Sequence, residues 1–276
     1  MTNDADAEAR FIHDLRHETM RGAAVTRTVI AHVTDAHLGQ RLASSGEVAG
    51  DKMRYVEEAD AHTAHLRRVL DDITRKGITE IVFGGDIGTT AAVPAFFGAM
   101  RDHDFSPLIV LGNHDAYASV APWCNAGAIE GKMCSSTDKG PWRRIMLDSS
   151  DNMIGERQLA WLANALESVR RAAVFVHHPV FEIDTPIDRS PAALRDRAAL
   201  QALLLSVGPD CEVTLFCGHY HMVDERRDGN VRQFVTPAVS YQITKKSDEI
   251  EVDTSTFGYR IIEFDDDKVQ TQVILL

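Results

Sequence analysis

Residues 28–37 read Thr-Val-Ile-Ala-His-Val-Thr-Asp-Ala-His. An apolar, β-branched run fills Thr28–Thr34 and stops at Asp35-Ala36-His37. A buried strand thus empties into a loop that carries a carboxylate and an imidazole. The same order recurs four times. Glu80–Phe83 leads to Gly84-Gly85-Asp86, and Leu108–Leu111 leads to Gly112-Asn113-His114-Asp115. Ala172–Val176 leads to His177-His178-Pro179, and Val213–Cys217 leads to Gly218-His219-Tyr220-His221. Strand ends of α/β proteins are where ligands bind. The five fragments supply enough oxygen and imidazole ligands for two transition-metal ions.

Between the fragments the period changes to that of helices. Leu66, Val69, Leu70 and Ile73 stand at i, i+3, i+4 and i+7, which predicts a helix over Tyr55–Lys76 stopped by Gly77. Further helices are expected at Ala95–Asp104, Glu156–Arg170 and Ala192–Ser206. The last quarter differs. Met222–Glu225 and Val231–Val235 flank a turn over Arg226–Asn230, and Phe257–Phe264 pairs with Val269–Leu275. A chain that begins β-α-β-α-β and ends in antiparallel strands fits an α/β fold of two facing mixed β-sheets flanked by helices. Residues 1–27 are expected to form an N-terminal arm, flexible or a short helix, and 28–276 a single catalytic domain. Residues 116–141 lack a clear period and read as a lid or substrate loop. His32, inside the first strand, reads as a hydrogen-bonded core histidine.

Composition limits the partners. The chain has 276 residues, 44% of them apolar, and a formal charge of −12. Such a surface repels nucleic-acid polymers and anionic membranes, and leaves a small phosphorylated substrate open because bound cations invert the local field. A homo-oligomer is left open as well. Cys124, Cys134, Cys211 and Cys217 form no C-x-x-C pair and read as reduced thiols. No apolar run reaches the roughly 20 residues of a membrane span, and no signal peptide is evident. A cytoplasmic location is expected.

Asp35 and His37 stand two apart in what reads as an extended segment, so their side chains share a face and can grip one ion. Gly84-Gly85 allows a sharp turn into Asp86, whose two carboxylate oxygens can bridge two metals. Asn113 offers a neutral oxygen. His114 and Asp115 beside it cannot all face one ion, which leaves one of them for acid–base work. His219 and His221 repeat the i, i+2 spacing after Gly218.

The set resembles the calcineurin-like metallophosphoesterases, whose pattern is D-x-H, G-D-x-x-D, G-N-H-[DE], a later His, and G-H-x-H. The likeness covers residues 28 to about 240. Leu147-Asp148-Ser149, Thr236-Pro237-Ala238 and Ser240-Tyr241-Gln242 resemble the cyclic-nucleotide and glycerophosphodiester phosphodiesterase branch. The resemblance implies one metal on Asp35, His37 and His221, a second on Asn113, His177 and His219, and Asp86 bridging them. It places His177 rather than His178 on the metal, two residues before Pro179, and His114 at the reacting phosphate. It implies two Mn, Fe or Zn ions and hydrolysis of a phosphate ester, a small diester in preference to a monoester, by metal-activated hydroxide. A catalytically idle binding scaffold is the remaining alternative. The family's second acid, three residues after the bridging Asp, is replaced by Thr89, whose hydroxyl can hold an imidazole but not stabilise its cation. Arg41, Arg54, Tyr117, Trp123, Trp142 and Arg189 are candidate substrate contacts in the loops.

Overall fold

Strands that are apolar on both faces need cover on both sides. The computed structural model, which describes residues 27–42, 53–55, 60–124, 127–129, 131–245, 250–266 and 268–276, meets that need with four layers. The expected arm over 1–27 lies outside the described residues save for its last position.

Along the chain come β1 (Thr28–Val33), the ribbon β2 (Gln40–Leu42) and β3 (Met53–Tyr55), α1 (Asp60–Arg75) and β4 (Glu80–Phe83). Then follow α2 (Val93–Asp102), β5 (Leu108–Ile109), the single turn α3 (Tyr117–Val120), β6 (Ala128–Ile129), β7 (Lys132–Met133) and β8 (Ser135–Lys139). Next are β9 (Trp142–Leu147), α4 (Glu156–Ala165), β10 (Arg171–Val176), α5 (Arg197–Ser206) and β11 (Glu212–Cys217). The chain closes with β12 (Asp224–Asp228), β13 (Val231–Val235), β14 (Gln242–Ile243), β15 (Val252–Asp253), β16 (Gly258–Phe264) and β17 (Val269–Leu275).

One sheet has the order β17-β16-β1-β4-β5 and the other β12-β13-β11-β10-β9-β8. Both are mixed. β1 is parallel to β4 and antiparallel to β16, while β10 is parallel to β9 and β11. Alternation divides the core. Ile30, Val82, Phe175, Phe216 and Phe234 pack between the sheets. Ala31, Ile81 and Phe83 turn to Leu66, Leu70 and Phe96 of α1 and α2, and Val174 and Leu215 to Leu162, Leu200 and Leu204 of α4 and α5. His32 is core, as expected: its Nδ1 lies 2.7 Å from the Thr236 hydroxyl, and burial lowers its pKa to about 3.

Several boundaries move. Tyr55 ends β3, and the helix expected from it is described over Asp60–Arg75, residues 56–59 lying outside the described residues. α4 stops at Ala165, short of Arg170, and Ser168 at φ 60° turns the chain toward β10. α5 starts at Arg197 rather than Ala192, because the preceding stretch is pinned elsewhere: the Asp196 carboxylate accepts the Ile154 and Gly155 N–H groups. The expected turn over 226–230 is mostly strand, and β12 runs to Asp228 before Gly229 at φ 52°. All four cysteines are free thiols, with Cys217 buried in the core.

Candidate metal centre

The five fragments meet at one end of both sheets, each beyond the C-terminal end of a parallel strand: β1, β4, β5, β10 and β11. Their backbones are laced together. Asp35 N–H donates to Gly85 O (2.9 Å), His37 N–H to Asp86 O (3.0 Å), and Gly218 N–H to His177 O (2.9 Å). Two glycines make that closeness possible. A Cβ on Gly112 would lie 2.1 Å from Asp86 Oδ1, and one on Gly218 would lie 2.4 Å from Asp35 Oδ2.

The backbone of the ligand candidates corrects one expectation. Asp35 and His37 are not extended. They sit at φ 56° and 47°, and Asp86, His219 and His221 at 59°, 68° and 49°. Five of the seven candidates therefore occupy the left-handed region that ordinary side chains avoid, a sign of strain held by surrounding structure at a functional site. Turns, not strand alternation, bring each i, i+2 pair together.

The side chains converge in two buried groups, Asp35 with His37 and His221, and Asp86 with His177 and His219. His221 Nε2 is 3.3 Å from Asp35 Oδ1 and 3.1 Å from His37 Nε2. Asp86 Oδ2 lies between the groups, 3.5 Å from His37 Nε2 and 3.2 Å from His177 Nε2. The Asp35 carboxylate is oriented by the Thr34 hydroxyl (2.7 Å) and the His219 N–H.

Protonation follows from the outer partners. His37 Nδ1 faces Gln40 Oε1 (2.6 Å), His177 Nδ1 faces Gly84 O (2.8 Å), His219 Nε2 faces Ala192 O (3.0 Å) and His221 Nδ1 faces Tyr241 O (3.0 Å). These oxygens only accept, so each imidazole spends its N–H outward and turns a bare nitrogen inward. Four lone pairs and two carboxylates then face one another, an arrangement that metal-ligating histidines adopt and that a cation stabilises. Among the described residues, Asn113 Oδ1 and His177 Nε2 are buried without a hydrogen-bond partner, as ligand atoms would be. The donor set therefore fits a pair of ions.

The charges agree. Burial lowers the His37 and His219 pKa values to about 3. Burial also opposes charge on His177, yet the Asp86 and Asp35 carboxylates carry it up to about 9, so without an ion its inward nitrogen takes up a proton that a metal ion would displace. Against the cost of its own burial, His177 holds Asp86 well below the usual carboxylate range. Positive charge is wanted between the carboxylates.

His114 stands beside this cluster. Its backbone N–H donates to Asp86 Oδ1 (2.9 Å), and its ring lies edge-on to His37, centroids 5.0 Å apart. Thr89 lies against Gly39, and the group that holds the His114 ring is Gln40, whose Nε2 is 3.0 Å from Nδ1. Sequence reasoning missed Gln40; its only signal is the spacing Asp35-x-His37-x-x-Gln40. Asp115 accepts the backbone N–H groups of Asp86, Ile87 and Gly112 at 2.8–2.9 Å, which makes it a brace for the loops. His178 Nδ1 is engaged by the Ser149 hydroxyl at 2.7 Å.

Of the loop candidates, Trp142 is buried and donates to Asp265 O, Trp123 stacks on Phe97, Arg189 pairs with Asp184, and Tyr117 packs on the core. The side chains of Arg41 and Arg54 lie outside the described residues. No helix among the described residues is long and apolar enough to cross a membrane.

No family model matches the chain. A probable cyclic nucleotide phosphodiesterase of Pseudoalteromonas sp. strain SM9913 is 25% identical over 265 residues, 90% of this chain and 93% of that protein. Among solved structures, a dimetal phosphatase from Danio rerio matches with a TM-score of 0.61 at 13% identity, covering 89% of this chain and 98% of the other. A purple acid phosphatase from yellow lupin matches with a TM-score of 0.65 at 12% identity, covering 90% of this chain and 51% of the other. The chain has the metallophosphoesterase fold that the sequence resemblance implies.

Proposed function

We propose that this chain hydrolyses a small phosphodiester with two bound metal ions, giving a phosphomonoester and an alcohol. The observation that carries the reading is the four imidazoles whose N–H groups all point outward to acceptors while their bare nitrogens converge on Asp35 and Asp86. Asp35, His37 and His221 hold one ion, Asn113, His177 and His219 the other, and Asp86 both. The oxygen and imidazole set, without thiolate, suits Mn, Fe or Zn. Bound there, such a pair supplies positive charge for the phosphoryl oxygens and lowers the pKa of water toward neutrality.

The chain's own residues do the rest. Asp86 fixes the spacing of the two groups, Asp115 braces the Asp86 loop, and His114 presents an N–H to the oxygen that leaves as the P–O ester bond breaks. A diester as substrate is favoured by the relative named above, so cyclic nucleotides come first in the assay. Cytoplasmic residence is supported by the four free thiols. Turnover of cyclic nucleotides and bis-p-nitrophenyl phosphate against p-nitrophenyl phosphate and nucleotide monophosphates, after metal reconstitution, tests the preference. Faster monoester turnover reverses it, and no turnover of either class removes the enzyme reading.

His114→Ala should retain both ions and lose ~10²–10³-fold in kcat, the usual effect of removing one donor to a developing oxyanion. The loss should shrink with a p-nitrophenolate leaving group, which needs little stabilisation. Elemental analysis checks the first point and kcat across leaving groups of graded pKa the second. Loss of an ion would make His114 a ligand.

A further inference from the structure

One amide joins the metal cluster to the ring at the leaving group. Gln40 is 3% exposed, follows His37 by three residues, and touches both His37 Nδ1 through Oε1 and His114 Nδ1 through Nε2. An amide has one end that only accepts and one that only donates. Its orientation here is dictated. For His37 to ligate through Nε2, its Nδ1 must carry the proton and must find an acceptor, so Gln40 has to turn Oε1 toward it. The NH₂ end is then left facing His114, whose Nδ1 must accept. A neutral imidazole that accepts at Nδ1 carries its proton on Nε2.

We infer that Gln40 is a positioning residue that converts metal ligation at His37 into a single tautomer of His114, with Nδ1 bare and Nε2 protonated. The ring is thereby a fixed hydrogen-bond donor to the departing oxygen. It is not a group that gives its proton away, since surrendering Nε2–H with no proton on Nδ1 would leave an imidazolate. This inference rests on the roles proposed above for His37 and His114.

The test separates the two arms. In the Zn²⁺-loaded protein, ¹⁵N shifts of the His114 ring should show an acceptor-type Nδ1 and a donor-type Nε2; a donor-type Nδ1 overturns the relay. Gln40→Glu keeps an acceptor for His37 and replaces the donor for His114. It should therefore hold Zn²⁺ about as well as the parent while His114 Nδ1 becomes donor-type; an unchanged Nδ1 overturns the relay. Gln40→Met keeps the volume without the hydrogen bonds, and should weaken Zn²⁺ binding ~10–100-fold, the usual cost of removing an outer partner of a metal-bound histidine. Undiminished Zn²⁺ affinity in that variant removes the His37 arm. If the ¹⁵N pattern holds while His114→Ala is catalytically silent, the relay stands and the proposed role of His114 falls.

Discussion

Stripping the protein of metal with a chelator should take hydrolysis of bis-p-nitrophenyl phosphate to background, and Mn²⁺ or a comparable ion should restore it. The expectation rests on the convergence of two buried carboxylates and four inward-facing imidazole nitrogens on one space. Those groups can hold ions, and none of them is arranged as a nucleophile. A second readout needs no substrate. An ion that binds the folded chain and not the unfolded one stabilises it by about 2.7 kcal/mol at 100 times its Kd, so the metal-loaded protein should melt higher than the stripped one. Full activity after removal confirmed by elemental analysis would sink the two-metal reading.

Asp86→Ala should cost more than His114→Ala, beyond the ~10²–10³-fold expected of one oxyanion donor. One carboxylate oxygen lies 3.5 Å from His37 Nε2 and 3.2 Å from His177 Nε2, so on the proposed assignment the substitution would take a ligand from both ions at once. Its metal content should fall and its activity should not return at high metal. Asp115→Ala is the informative contrast. It strips the acceptor from three backbone N–H groups, at ~1–3 kcal/mol for each donor left buried. That variant should lower the denaturant midpoint of the metal-free protein further than Asp86→Ala, which leaves one backbone N–H, that of His114, without its acceptor. Equal activity of the two variants at saturating metal would remove Asp86 from the bridging position.

The sequence exposes the strands and the ligand-bearing fragments because the same physics writes both. Strands buried on two faces are continuous apolar runs, and each fragment begins where such a run ends, as at Val33 and Cys217. What escapes is structure that leaves no apolar trace. β8 reads Ser-Ser-Thr-Asp-Lys and was not expected, and β12 reads Asp-Glu-Arg-Arg-Asp and runs three residues beyond the strand expected to end at Glu225; both are edges of the second sheet, where charge discourages pairing with another chain and erases the alternation that marks a strand. Helix ends are displaced by non-local demands. Ala192 was expected to be helical, yet its carbonyl is used by the His219 ring. Gln40 escaped for the same reason. Its partners are His37 nearby and His114 seventy-four residues on, and only the folded loops reveal that one amide serves both.

The left-handed backbone at Asp35, His37, Asp86, His219 and His221 sets the ligand set against the durability of the bare fold. A non-glycine residue in that conformation costs ~1–2 kcal/mol. Across five positions the sum rivals the entire margin by which an ordinary domain stays folded, about 5–15 kcal/mol. Glycine would suit every one of these turns better. On the proposed function, a lineage of this chain freed from catalysis would therefore have a thermodynamic incentive to shed these residues, one by one, in favour of a tougher and inert sandwich. Aspartate and histidine at these corners are the mark of a protein shaped for what it holds and not for how firmly it folds.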